Sequence, residues 1–582
     1  MRFFFLLFFI SASANFNNFL VAQNTDQTGS NKYAKDNFTL GNYKDALNEY
    51  LLLLKNDSLN PLYNYYVGVC YLNTYIDKSK SIFYLERAVS NPKANIDTWY
   101  ELGRAYMLNY NFTKAKNYFE QYGLLSNGKE NFLISSERMI QMCDNAELLI
   151  KTPLNISIEN LGAEINSAYP DYNPFIPNDE SFITFTSKRQ GTTGNVLDFD
   201  GFNTPDIFIS YLQNDKWAKV KSIGTTINTT LVEELVSLST DGKVLFAYID
   251  NFTALGTTMI SYKKGKSYQK PEIIGSLFNP IKYISSACIS PDKKTLIIAC
   301  DLNIQEGGMD LYISQKLPSG EWSVLKNIGP NINTVYDEDF PYFAPDGTLY
   351  FCSVGHNSMG GFDIFKTTPK NNFETWSKPE NIGYPINTPD DNKTISFTST
   401  GRHAFISSFR EGGYGDLDIY KIIFNNIEPA YTTLTGTIMN EESVSIFEIP
   451  EITDSLNLSE NTEEPIDIGI SYNINMFTDT LRSDSSVPKK EIKYKEIKTK
   501  ISVKNLLTQE ITGIYRPNYR SGKYVIILPP GNYELIVEAA GFKKHIEPIK
   551  IIEKTNYNEI FKDITLTSEI IEVDQSNLNT WN

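Results

Sequence analysis

The chain has 582 residues, 41% hydrophobic, 13% aromatic and 21% charged, a balance too apolar for a disordered polypeptide and long enough for three or four structural units. A formal net charge of −16 excludes the basic face with which a nucleic-acid binder displaces counterions. After the first few residues no apolar run is long enough to cross a bilayer.

The N-terminus reads as an export signal over residues 1–22. Met1-Arg2 is a short positive start, Phe3 to Ile10 is apolar, and Leu20-Val21-Ala22 precedes Gln23, so cleavage is expected near Ala22. The next cysteine is Cys70, so no lipid-modified cysteine is expected at the mature N-terminus. Five cysteines (Cys70, Cys143, Cys288, Cys300, Cys352) are too few and too scattered for a disulfide framework. Cys288 and Cys300 flank one predicted hairpin, where a bridge and a pair of buried thiols are both open and the thiols are the expectation.

Two kinds of internal repeat follow. Between about Ser30 and Asn127 the pattern is helical, with Gly41, Tyr43, Ala46 and Tyr50, then Gly68 and Tyr71, then Leu102, Gly103, Tyr106, Phe112, Ala115 and Phe119 at spacings of about 34 to 35 residues. Small residues belong where paired helices cross closely, and aromatics fill the wedge between them. The amphipathic stretch Ile134 to Ile150 predicts a capping helix. Residues 23–152 are therefore read as tetratricopeptide repeats with a cap.

From about Leu154 to Phe424 the period is a little over 50 residues and the alternation is that of strands. Five links of the form Ile-Gly-x-x-Ile-Asn, with Leu161 opening the first and Phe278 before the asparagine of the third, end at Asn166, Asn228, Asn279, Asn333 and Asn387. Turns such as Pro345-Asp-Gly347 precede apolar strands, and Asp206, Asp310, Asp363 and Asp418 each open an Asp-Ile-Phe type strand. Each period holds about four short strands, one propeller blade. The last repeat lacks its fourth strand while Leu154 to Asn160 stands alone at the front. The N-terminal strand is expected to complete the last blade and remove both exposed edges, giving a five-bladed β-propeller over residues 153–425.

The Pro-Asp-Gly turns, Gly-Gly-x-Asp-Ile-Tyr strands and Trp…Ile-Gly-x-x-Ile-Asn links resemble the β-propeller repeats related to those of the TolB translocation protein, in the version found in exported Bacteroidetes proteins. Ile501-Ser-Val503, Gly513-x-Tyr515, Ser521-Gly-Lys-Tyr524, Leu528-Pro-Pro-Gly531, Tyr533 and Ala540-Gly-Phe542 resemble a carboxypeptidase regulatory-like domain, a transthyretin-type β-sandwich over residues 426–572. Within it an insertion at about 441–500 is acidic and then basic, its basic half reading as an edge strand guarded by lysines; residues 573–582 are a tail. The order of modules resembles the envelope proteins of the type IX secretion and gliding machinery. That resemblance implies a fourth, OmpA-like module, for which no room is expected after Ile571, so cell-wall anchoring is not carried over.

Chemistry is tested against this scaffold. The three histidines, His356, His403 and His545, are dispersed and give no metal-ligand spacing. Gly355-His-Asn-Ser-Met-Gly-Gly361 lacks the glycine that a nucleophile elbow needs two residues before Ser358. The recurring aspartates are expected to satisfy backbone N–H groups in their turns, and Asp198 with Asp200 is a weak calcium signal. No catalytic residue, cofactor or metal is expected. What remains is binding: the first helix of each pair lines the concave face of such an array, and counting from the repeat glycines puts Lys35, Tyr65, Asn73, Tyr100 and Arg104 there, a groove for a peptide segment or a surface that packs on the sheets. The expected function is a non-enzymatic exported scaffold of the periplasm, peripheral to the outer membrane, whose partners are envelope or secretion-machinery proteins. The alternative is a propeller that binds or processes a carbohydrate or peptide ligand.

Overall fold

The computed structural model describes residues 29–213, 216–250, 256–274, 283–302, 308–429, 431–443, 445–446, 497–518, 521–551 and 558–569. The export signal, most of the 441–500 insertion with its acidic half, and the tail lie outside the described residues. The chain divides into one compact unit over residues 1–428 and a second over 429–582, so the helices and the repeated sheets form one body.

Seven described helices open the first unit: α1 (Asn31–Leu40), α2 (Tyr43–Asn56), α3 (Pro61–Leu72), α4 (Lys80–Val89), α5 (Asp97–Leu108), α6 (Phe112–Ser126) and α7 (Ser136–Leu149). Their starts are written in the sequence. Ser30, Asn42, Asn60, Asn111 and Ser135 each accept a backbone N–H of the first turn, and Pro61 occupies the first helical position of α3. Successive helices pack on one another. Gly68 and Gly103 sit at the closest approaches, where an added Cβ would lie 2.5 Å from Leu85 Cγ and 2.6 Å from Phe119 Cε1. Gly41 has the left-handed conformation (φ 84°) and ends α1. None of the described helices is long and apolar enough to cross a membrane.

Among the described residues five antiparallel sheets of four or five strands follow, each resembling a propeller blade, together with a two-stranded sheet of Pro369–Lys370 and Thr375–Trp376. Their innermost strands are Asp171–Phe175, Val232–Leu238, Ile284–Ile289, Glu338–Phe343 and Ile395–Phe397. The outermost strand of the fifth sheet comes from the front of the chain, Ile156–Asn160 pairing with Asp418–Phe424 so that Ile156 opposes Phe424 and Asn160 opposes Tyr420. The sheets contact one another in sequence, and between the fourth and fifth the Tyr342 hydroxyl accepts the Phe397 N–H at 3.1 Å.

The repeated link is a clamp. Asn166, Asn228, Asn333 and Asn387 each donate to, and accept from, one residue of an Asp-Ile-Phe type strand, namely Ile419, Ile207, Leu311 and Ile364. The hydroxyl residue after each asparagine is bound in turn to the residue four positions on, at or near the start of the next innermost strand: Ser167 to Asp171, Thr229 to Glu233, Thr334 to Glu338 and Thr388 to Asn392. The third repeat has Pro280 after Asn279, and there the strand starts with Ile284. Hydroxyl and polar partner are lost together, as a satisfied pair requires.

The second unit is a sandwich of two four-stranded sheets. One holds Lys523–Leu528, Thr432–Asn440, Asn558–Phe561 and Ile564–Leu566; the other holds Ile511–Tyr515, Thr499–Asn505, Gly531–Ala539 and His545–Ile551. Inward residues Leu434, Ile501, Val503, Ile526, Leu535 and Val537 build its core. Thr499–Asn505 pairs with Gly531–Ala539 along its length and with Ile511–Tyr515 from Ile501 onward; most of the basic stretch in which the guarded edge strand is expected lies outside the described residues.

Candidate functional site at the helix-to-sheet junction

The repeated aspartates are consumed by structure. Asp363 accepts the Met359 N–H at 2.8 Å and Asn381 Nδ2 at 2.7 Å; Asp418 accepts the Tyr414 N–H at 2.7 Å and Asn160 Nδ2 at 2.9 Å. Asp206 accepts the Thr193 N–H and hydroxyl, and Asp310 accepts Asn327 Nδ2. Burial pushes the Asp363 carboxyl up to about 8. Ser358 is buried, donates to the Val354 carbonyl at 2.9 Å and accepts Arg138 Nη2 at 3.0 Å, a position with no access for a substrate carbonyl. Asp198 and Asp200 hold the Lys188 ammonium, the first at 2.9 Å, so a lysine stands where the calcium reading put an ion. Among the described residues no group of three or more His, Cys, Asp and Glu side chains is placed to hold a metal. Cys288 faces Ile297 and Cys300 faces Ile284 across their hairpin, and both are buried free thiols.

The five groove residues do not act as one surface. Lys35, on α1, and Asn73, after α3, are exposed; Asn73 Nδ2 donates to the Val69 carbonyl of its own helix. Tyr65 is half-buried and packs on a core that runs from Leu72 of α3 and Leu85 of α4 through α5, α6 and α7. Tyr100 is only 3% exposed. Its ring stacks on Phe132 at 3.7 Å and its hydroxyl donates to the Ile134 carbonyl at 2.9 Å, because the segment leading into α7 folds back over it. It is a core residue, not a groove anchor. Arg104 is held by Glu101 at 2.7 Å. The ion pair and Tyr65 do converge, since Glu101 and Arg104 both act on the Tyr65 hydroxyl, whose pKa burial raises.

Residues of α7, of the segment after α3 and of α2 meet the sheets instead. Arg138 of α7, 7% exposed, donates from Nη2 to the Val354 and His356 carbonyls at 2.8 and 3.0 Å and to Ser358, and its guanidinium lies 5.1 Å from the Tyr336 ring centre. Asn145 donates to the Ser358 carbonyl at 3.0 Å. Val354 and Met359 share one apolar core with Met139, Met142 and Ala146. Further along, Lys78 pairs with Asp390, Tyr75 meets Phe409 at 5.4 Å, and Lys44 lies 4.8 Å over Phe202. Burial raises the Asp391 carboxyl, but Lys393, the Phe362 N–H, Lys78 and Arg104 outweigh it and leave the group below its usual range.

A second set of residues marks the start of the innermost strands. Tyr172, Glu234, Ser285, Asp339 and Lys393 each stand six residues after a link asparagine, 166 to 172 in the first case. Four of these strands carry a register shift at or just after that position, a device that re-aims side chains. Tyr172 donates to Glu234 at 2.8 Å, Ser285 donates to Asp339 at 2.8 Å, and Lys393 lies 3.5 Å from Asp391. Burial raises the Glu234 and Asp339 carboxyls, and raises Asp416 to about 7 against the opposing Lys78. Five different residue types fill one repeat position, so a search for identity passes over them; the constant offset from the asparagine is the signal that finds them.

No protein-family model matches this chain, and no curated protein matches it. Among solved structures it is similar to TolB from Acinetobacter baumannii (11% identity, TM-score 0.25, covering 42% of this chain and 53% of that one). It is similar also to a glycoside hydrolase (10% identity, TM-score 0.32, 50% and 95%) and to a gluconolactonase from Xanthomonas campestris (11% identity, TM-score 0.27, 47% and 92%). The chain thus spans about half the length of the TolB structure.

Proposed function

We propose that the chain is a non-enzymatic exported scaffold: tetratricopeptide helices fixed on a closed five-bladed propeller of TolB type, followed by a regulatory-like sandwich. On this reading it works in the periplasm, peripheral to the outer membrane, and binds other envelope proteins beside the type IX secretion or gliding machinery. One observation supports the reading above others. The groups that look chemically poised in the sequence, Asp206, Asp363, Asp418 and Ser358, are each engaged in holding turns or in the helix-to-sheet junction, which suits a body built to present surfaces. The second reading, a propeller with a carbohydrate or peptide ligand at its centre, draws on the mixed hydroxyl, carboxylate and ammonium groups of Tyr172, Glu234, Ser285, Asp339 and Lys393. Affinity capture from a cross-linked native envelope discriminates them. Recovery of secretion or motility components supports the scaffold; glycan enrichment without a protein partner supports the second reading and overturns the first.

A further inference from the structure

The loop that Arg138 holds also contributes His356 to an open surface cavity of about 690 Å³ lined by Pro330, Asn331, Asn333, Thr334, Val335, Lys378 and Pro379. His356 adopts the left-handed conformation (φ 48°), unusual for a side chain of its size. Its Nε2 lies 2.9 Å from the Ile332 carbonyl. A carbonyl only accepts, so Nε2 carries the proton and Nδ1 is an acceptor, for which no hydrogen bond is present among the described residues. Arg189 does the same in the first repeat, donating to the Ile165 carbonyl at 2.7 Å, and in the fifth Arg410 donates one residue earlier in the link, to the Pro385 carbonyl at 3.0 Å. His356 does this work and keeps a second nitrogen spare.

Lys378 is exposed, and among the described residues it has no carboxylate partner. Burial lowers the His356 pKa, the Ile332 carbonyl opposes this, and the Arg138 and Lys378 cations add to the lowering. In a chain of net charge −16 this corner is locally positive. Beside the charge stand apolar walls: Pro330, Pro379 and Val335, the last 83% exposed.

We propose that this cavity binds the C-terminal carboxylate of a partner polypeptide, set against Lys378 and His356, with the last side chain on Pro330, Val335 and Pro379. Charge complementarity selects the carboxylate. The apolar wall beside the ammonium selects a chain end, where carboxylate and side chain leave the same Cα atom. An anion there favours the imidazolium, whose Nδ1–H then donates to it. The proposal rests on the scaffold reading, since it names the feature by which a protein partner is held.

The test uses the mature full-length chain carrying ¹⁵N-histidine; it has three histidines, so His356 is followed against His403 and His545 as internal controls of folding. The probes are acetyl-Gly-Val with a free carboxylate, the same dipeptide as its amide, and acetate. The free acid is expected to shift the His356 signals and raise that group's pKa, with the amide and acetate inert at equal concentration. Lys378→Gln is expected to weaken the response about tenfold, a loss of about 1.4 kcal/mol, with the His403 and His545 signals unmoved. No His356 response to the free acid, an equal response to the amide or to acetate, or full affinity in K378Q overturns the proposal. Envelope capture separates the two readings: partners recovered with no dipeptide response overturn the cavity proposal alone, whereas a dipeptide response with no partner recovered overturns the scaffold reading.

Discussion

Arg138 Nη2 and Ser358 Oγ lie 3.0 Å apart across 220 positions of sequence, and both side chains are buried. The guanidinium ties the Val354 and His356 carbonyls and the Ser358 hydroxyl to α7, so its removal takes three hydrogen bonds from a junction that is largely buried. Arg138→Met is expected to destabilise the first unit by about 3 kcal/mol and to open the stretch between α7 and the first sheet to protease, while Ser358→Ala costs about 1 kcal/mol. Urea unfolding with limited proteolysis checks both. An R138M variant as resistant as the parent would show that the apolar contacts of Met139 and Met142 suffice.

At Gly103 an added Cβ meets the Phe119 ring at 2.6 Å. Gly103→Ala is expected to cost about 2 kcal/mol through overpacking, although alanine is the better helix former. Phe119→Leu in the same chain should recover part of that loss. A double-mutant cycle reads the coupling, and additive effects would place the strain elsewhere.

Tyr100→Ala is expected to lower stability by about 3 kcal/mol, the cost of removing a stacked core aromatic. Its effect on partner capture should track unfolding. Lys35→Ala, at an exposed site, should leave the melting temperature within a degree or two. Thermal melts of the two variants decide whether the helical core or a groove is being sampled.

The Asp363 carboxyl, raised by burial to about 8, sets a pH dependence. Its folded pKa lies above its unfolded value, so its stabilising contribution is complete below about pH 4 and is lost as pH rises toward 8. Asp363→Asn can keep the acceptor that Met359 and Asn381 use while removing the titration. The variant should therefore gain on the parent progressively from pH 5 to pH 8 in urea midpoints. A constant difference across that range would show that Asp363 is ionised in the folded protein.

Deleting Leu154 to Asn160 should expose the Asp418–Phe424 edge and cause aggregation or loss of protease resistance. A deletion variant that melts like the parent would refute this closure.

Much of the architecture is legible in the chain because its signals are local. Gly68 and Gly103 mark helix crossings, the link asparagines mark strand clamps, and the lone strand before Leu161 finds its partner because the last repeat is one strand short. The capping helix is expected from Ile134 to Ile150 and runs from Ser136 to Leu149. The junction is not legible in this way. Arg138 reads as one polar residue of an amphipathic helix, and nothing near it in sequence says that carbonyls more than two hundred positions away lie within reach. Tyr100 fails as a groove residue for a related reason: the turn that covers it, Phe132 to Ile134, has no repeat counterpart from which its path could be inferred.

The closing strand pair has a mechanical side. Ile156 and Phe424 face each other at the end of the antiparallel ladder where the chain enters and leaves, so tension drawn from before residue 156 to beyond residue 424 would load the ladder from one end and peel its bonds singly rather than shear them together. The Arg138 contacts, with the Met139 and Met142 packing beside them, anchor the incoming chain to the fourth sheet upstream of that seam. A pull applied through the N-terminal helices therefore strains this anchor before the seam, and single-molecule stretching should record its rupture as the first force peak.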